Sequence, residues 1–188
     1  MGNRVQDILH AYISETSAVM TGLPETDIAR TVELLETARE KGRKVYTFGN
    51  GGSAASASHF ASDLAKGAIC AGKPRLQAYC LSDNTPMLTA WANDKDYDNV
   101  FSEQLENYID AGDVAIGISG SGNSPNVLNG IRKAREKGAT TVGLIGFGGG
   151  KLKDLVDIPV VVACDNMRQV EDIHLVIIHS ITACLGEY

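Results

Sequence analysis

The stretch Lys44-Val45-Tyr46-Thr47-Phe48-Gly49-Asn50-Gly51-Gly52-Ser53-Ala54 decides the fold. A run of strand-forming residues enters a glycine-rich turn, and "ASASHFASDLAKG" continues from it as a helix. Strand, tight loop and helix follow one another without a spacer. The glycines allow a tight turn and the close approach of a ligand, and the head of the helix offers unpaired N–H groups to an anion. Gly49-x-Gly51-x-x-Ala54 also fits a dinucleotide-binding turn, so this loop alone leaves a nucleotide and a sugar phosphate both open.

Downstream the same pattern recurs. Short apolar runs, "KVYTFG", "LQAYCL", "DVAIGIS", "TTVGLIG" and "IPVVVA", read as five buried strands. Helices are expected near 53–66, 85–93, 97–109, 124–137 and 151–156, with a last one over roughly 168–186. Such alternation predicts a parallel sheet with helices on both faces. Upstream, Val5, Ile8, Leu9, Tyr12, Ile13 and Val19 recur at helical spacing over 3–20. A second helix is expected from Pro24 to Gly42, with Ile28, Val32, Leu35 and Ala38 on one face. The expected organisation is one domain over 1–188, with N-terminal helices over 1–42 and an α/β core over 43–188.

Composition narrows the function classes. With 188 residues, 44% hydrophobic and 21% charged, one sizeable core is the expectation. A net charge of -6 gives no electrostatic footprint for nucleic acid or an anionic membrane, and no apolar run approaches membrane-spanning length. Cys70, Cys80, Cys164 and Cys184 are scattered without a CxxC pair, and no charged-then-apolar leader opens the chain. Reduced thiols and a cytoplasmic location are the expectation.

"ISGSGNSPNVL" repeats the opening logic, with a strand entering Ser119-Gly120-Ser121-Gly122-Asn123-Ser124 and Pro125 suited to the first turn of the next helix. Both loops follow strand C-terminal ends, the edge at which open α/β sheets bind ligands. Ser53, Ser119, Ser121 and Ser124 offer hydroxyl donors to phosphate oxygens without adding charge or bulk. The nucleotide readings weaken here. Asp83 falls roughly thirty residues beyond the first loop, where a ribose-binding acid belongs about twenty beyond it. In "IGFGGGKL" Ile145 stands where a P-loop has its first glycine, and Leu152 where it has Ser or Thr. No nucleotide cofactor is expected.

Taken together, "GNGGSA", "AND", "ISGSGNSPNV", "GGGKL" and "VEDIHLVIIH" resemble the sugar isomerase (SIS) domain family, in its phosphoheptose isomerase branch, over nearly the whole chain. The resemblance implies a three-layer, flavodoxin-like fold and a homotetramer with active sites between subunits. It implies conversion of sedoheptulose 7-phosphate to D-glycero-D-manno-heptose 7-phosphate through an enediol. A non-catalytic relative, the DnaA-associated SIS protein, supplies the alternative, a binding protein for a sugar phosphate or a protein partner. Substrate contacts are implied for Asn50, Gly51, Gly52, Ser53, Asp63, Asn93, Asp94, Ser119, Gly120, Ser121, Asn123, Ser124 and Glu171.

An aldose–ketose isomerase needs a base and an acid. His59 and Asp63 share a helix face at i and i+4, and Glu171, His174 and His179 are ionisable groups in an otherwise apolar last helix. Asp63, Glu171 and His179 are the proton-transfer candidates. Some members of the resembled branch bind zinc on a His, a Glu four residues later, a Gln, and a His eight residues after that Gln. The pattern falls here on His59, Asp63, Glu171 and His179, with Asp for the Glu and Glu for the Gln. Positions eight apart on a helix are separated by about 12 Å along the axis and rotated by roughly 80°, so Glu171 and His179 reach one ion only by leaning together or by an irregular helix start.

Overall fold

The computed structural model describes residues 2–186. Five parallel strands form one sheet: β1 (Lys44–Gly49), β2 (Gln77–Cys80), β3 (Val114–Ser119), β4 (Thr140–Ile145) and β5 (Ile158–Val161), in the order β2-β1-β3-β4-β5. Central strands covered on both faces need apolar side chains pointing both ways, and the sequence supplies them. Val45, Ile116, Ile118, Val142 and Leu144 face one side, while Tyr46, Phe48, Ala115 and Ile145 face the other.

Among the described residues seven α-helices accompany the sheet. α2 (Glu25–Glu40), α3 (Gly52–Ser62) and α7 (Met167–Leu185) cover the first face through Leu35, Ala57, Phe60, Ile173, Ile177 and Ile181. α4 (Thr85–Asp94), α5 (Val100–Tyr108) and α6 (Pro125–Glu136) serve the second, through Leu88, Phe101, Leu105, Val127 and Ile131. α3 and α7 are therefore neighbours on one face. The fully buried Arg39 of α2 ties this layer together, donating to the Leu185 carbonyl at 3.0 Å and the Ala68 carbonyl at 2.8 Å.

The chain passes from β1 outward to β2 and then crosses to β3 on the other side of β1. β1 and β3 pair directly, Gly49 opposite Ile118, so the topological switch point lies between their C-terminal ends. This places the two serine loops side by side.

Two expectations are corrected. The helix expected over 53–66 is α only to Ser62, after which Asp63–Gly67 form a π turn closed by the Ala68 N–H on the Asp63 carbonyl at 2.8 Å. The helix expected over 151–156 is a chain of turns. Gly149 and Gly150 take φ of +93° and +52°, and the Leu152 N–H goes to the Gly122 carbonyl at 3.0 Å, so no helical run is nucleated. The N-terminal helix, α1 (Gly2–Met20), forms as expected, but Val5, Ile8, Leu9 and Ile13 are each more than half exposed. Within the chain α1 is held instead by Tyr12, whose hydroxyl donates to Asp172 at 2.6 Å, and by Glu15, which accepts from Gln169 at 2.9 Å. Among the described residues no helix is long and apolar enough to cross a membrane.

Candidate active site

At the switch point the loops after β1 and β3 enclose a cleft of about 250 Å³, lined by Asn50–Ser53, Ile118–Ser121, Ser124, Met167 and Glu171. Gly51 takes φ of +54°, which turns the chain sharply from β1 into α3. Gly52 is needed for a different reason: a Cβ there would lie within 2.6 Å of both Glu171 carboxylate oxygens. The head of α3 and the side chain of Glu171 are in direct contact because residue 52 has no side chain.

Ser53 and Ser119 are buried, Ser124 is half-buried and Ser121 is exposed. The Ser119 and Ser124 hydroxyls lie 3.2 Å apart. Two hydroxyls at this separation can both turn to one anion, since each proton rotates freely. Asn123 turns away from the cleft. Its amide donates to the Ser121 carbonyl at 2.9 Å and its oxygen accepts from the Lys151 N–H at 3.2 Å, so it braces the loop against the turns after β4. Among the described residues no lysine or arginine lines the cleft, and its one charged wall residue is Glu171. A larger hollow of about 340 Å³ beside the β2 edge has Lys44, Tyr46, Tyr79 and Tyr108 in its wall and none of the serine donors.

Two helical turns along α7 from Glu171, a second group forms where α7 meets α3. His59 Nε2 lies 3.0 Å from His179 Nε2 and 3.3 Å from Asp63 Oδ2, and His179 Nε2 lies 3.8 Å from the same oxygen. The two rings meet at 4.9 Å and 60°. Two imidazoles and a carboxylate converging like this fit a divalent cation: ligands on a tetrahedral zinc, bound at about 2.0–2.1 Å, stand about 3.3 Å apart. Of the four residues aligned with the zinc pattern the cluster contains His59, Asp63 and His179, while Glu171 belongs to the cleft. The uninterrupted α-helical run of α7 from Met167 to Leu185 keeps Glu171 and His179 two turns apart.

His174, between them, is fully buried. Neither ring nitrogen has a hydrogen-bond partner; the Ile145 carbonyl is nearby without satisfactory bonding geometry, and burial pushes the imidazole down to about 4. This ring is neutral core. Asn93 and Asp94 end α4, bonded to each other at 2.8 Å and exposed outside the cleft wall. The following 3-10 turn does reach the site, through a bond of 3.0 Å from the Tyr97 hydroxyl to Asn50 Oδ1. Sequence reasoning missed Tyr97, Met167 and above all Asn126, which is 1% exposed at the start of α6. The available signal for Asn126 was an amide at the inward phase of an amphipathic helix, directly after a serine loop.

The sequence pattern of the SIS domain family matches residues 11–146. A phosphoheptose isomerase of Geotalea daltonii is 43% identical over 152 residues, covering 81% of this chain and 79% of that protein. A probable phosphoheptose isomerase of Thermoplasma acidophilum is 39% identical over 176 residues, 94% and 96% of the two chains. Among solved structures, the phosphoheptose isomerase of Neisseria gonorrhoeae superposes with a TM-score of 0.90 at 30% identity, covering 96% of this chain and 98% of that one. With its sheet order, its paired serine loops and these relatives in agreement, the chain belongs to the SIS domain family, in its phosphoheptose isomerase branch.

Proposed function

We propose that this protein is an aldose–ketose isomerase that interconverts sedoheptulose 7-phosphate and D-glycero-D-manno-heptose 7-phosphate. The observation that carries this reading is the meeting of the two serine loops at one cleft with the Glu171 carboxylate in its wall. Phosphate is held by the Ser53, Ser119, Ser121 and Ser124 hydroxyls and by backbone N–H groups at the heads of α3 and α6. The carbon chain then extends past Glu171 towards His59, Asp63 and His179.

The reaction moves one proton between carbons and one between oxygens. A base takes a proton from C1 of the ketose, the C–H electron pair forms the C1–C2 double bond while the carbonyl π pair moves onto O2 and takes up a proton, giving the enediol; return of a proton to C2 with loss of one from O1 then gives the aldehyde. Glu171 suits the carbon transfer: its carboxylate makes no hydrogen bond within the described residues, and one carboxylate can take the proton at C1 and deliver it at C2. With no ion bound, Asp63 and His179 are free to exchange protons with the sugar oxygens. His59, Asp63 and His179 would hold a zinc ion, which when bound supplies Lewis-acid polarisation of the carbonyl oxygen.

Assembly belongs to the same reading. The cleft of one chain has no cation to balance a phosphate, and α1 leaves Val5, Ile8, Leu9 and Ile13 open. A homotetramer with active sites between subunits answers both features. The test is incubation with sedoheptulose 7-phosphate, with and without added zinc, and detection of the aldose product. Absence of product under both conditions, with the sugar phosphate still bound, overturns the isomerase reading and leaves a sugar phosphate-binding protein.

A further inference from the structure

Asn126 lies outside the cleft wall, yet its amide is tied to a residue inside it. Its Oδ1 accepts from the Val127 N–H at 2.9 Å and from Asn50 Nδ2 at 2.8 Å, while its Nδ2 donates to Asn50 Oδ1 at 2.8 Å. The Val127 N–H can only donate, so the atom facing it must be oxygen. That fixes which way the Asn126 amide points. The reciprocal pair then fixes Asn50, whose oxygen is occupied by Asn126 and by the Tyr97 hydroxyl at 3.0 Å. What remains uncommitted on Asn50 is one N–H of Nδ2.

We propose that Asn126 is a positioning residue which sets the polarity of Asn50, so that this side chain presents a donor and not a carbonyl oxygen to the substrate. The same bonds lock the loop after β1 to the head of α6, holding both serine loops in one register across the switch point. The proposal rests on the sugar phosphate reading of the cleft. Its chemistry is specific to that cleft: with no lysine or arginine in the wall and a carboxylate at Glu171, each neutral donor matters for an oxygen-rich, anionic ligand. Burial of Asn126 makes the pair rigid: its amide cannot turn to water, so a flipped Asn50 would oppose like atoms at 2.8 Å across this half-buried contact.

The experiment is a double-mutant cycle on Asn50→Ala and Asn126→Ala, reading the Kd for sedoheptulose 7-phosphate by titration together with KM and kcat. Asn126→Ala is expected to raise Kd and KM roughly tenfold, the size of one lost hydrogen bond to a charged ligand. In the Asn50→Ala background the same change should add less than about twofold, because the residue it positions is gone. Additive effects, or a fall in kcat alone with Kd and KM unchanged, overturn the proposal. Should Asn126→Ala fail to fold, Asn126→Asp keeps the acceptor for the Val127 N–H and sets an oxygen against Asn50 Oδ1. It must then raise Kd at neutral pH and recover affinity at a lower pH, where the carboxyl regains a donor; a loss that no pH restores counts against the proposal. Tight binding by the wild type without product removes only the isomerase reading, since the cycle is read in Kd.

Discussion

His59 Nε2 and His179 Nε2 face each other at 3.0 Å, a separation that leaves room for one hydrogen between them and not two. A metal ion resolves the same geometry by accepting both lone pairs. Purified protein exposed to zinc should retain about one ion per chain, and His59→Ala should weaken retention by at least about tenfold, the smallest loss usual for residues supporting a metal site. Elemental analysis after dialysis reads this directly. Equal metal in both proteins would leave His59, Asp63 and His179 as acid–base groups only.

The Ser119 and Ser124 hydroxyls, 3.2 Å apart, set the next expectation. Ser119→Ala and Ser124→Ala should each weaken binding of sedoheptulose 7-phosphate by about tenfold, the range for a hydrogen bond to a charged group, while thermal unfolding stays nearly unchanged. Calorimetric titration of the two variants is the measurement. Unchanged affinity in both would move the phosphate elsewhere.

Glu171 separates binding from chemistry. Glu171→Gln keeps the shape of the side chain against Gly52 and removes the negative charge from the cleft wall. Turnover should fall by about 10²-fold or more, as expected for loss of a general base, and so should exchange of the substrate C–H hydrogen with heavy water. Affinity should hold or improve. A variant with wild-type exchange would show that the proton is carried by another group.

His174 gives the protein an acid-side weakness. Above about pH 6.5 the ring is neutral folded and unfolded, so it adds no pH dependence there. Below that value the unfolded chain takes up a proton that the buried ring resists until about 4, so stability falls as pH drops through this window and levels off beneath it. The full loss is about 3 kcal/mol from the shift itself. Urea unfolding at pH 7 and pH 4.5 should show a smaller drop for His174→Leu than for the wild type. Parallel losses would mean that other groups dominate acid sensitivity.

The open stripe of α1 predicts a mass in solution of several chains. Ile13→Asp, at a position 61% exposed within one chain, should shift that assembly towards smaller species at micromolar concentration without changing the far-ultraviolet spectrum. Light scattering after size exclusion distinguishes the cases. A wild-type monomer would remove the shared active site.

The five strands were legible because their runs are apolar on both faces, and both serine loops because the same glycine–serine turn, common enough singly, recurs at two equivalent strand ends. The misreadings share a cause. Residues 151–156 look periodic over six positions, too few to outweigh two glycines at positive φ and a carbonyl of the neighbouring loop. Glu171 and His179 fit one spacing pattern, but spacing along a helix does not say which neighbour each residue will face. Asn126 and Arg39 were invisible for a related reason: Asn50 lies 76 residues from Asn126, and Ala68 and Leu185 lie 29 and 146 residues from Arg39. Only the packed layers bring them together.

The π turn after α3 has a consequence for chain length. A turn closed five residues back holds one residue more than an α-helix would, and each residue advances a helix by about 100°. Deleting Ala65, inside that turn, would let α3 continue with ordinary bonding and swing everything after it by that angle. Leu64 and Ala68, both now in the core, lie on either side of this phase change. A shortened chain would gain a more regular helix and lose the alignment that seats Ala68 under Arg39. The spare residue is thus a spacer that sets the exit of α3 after His59 and Asp63 have been placed, so the length of this segment should tolerate change less well than its composition.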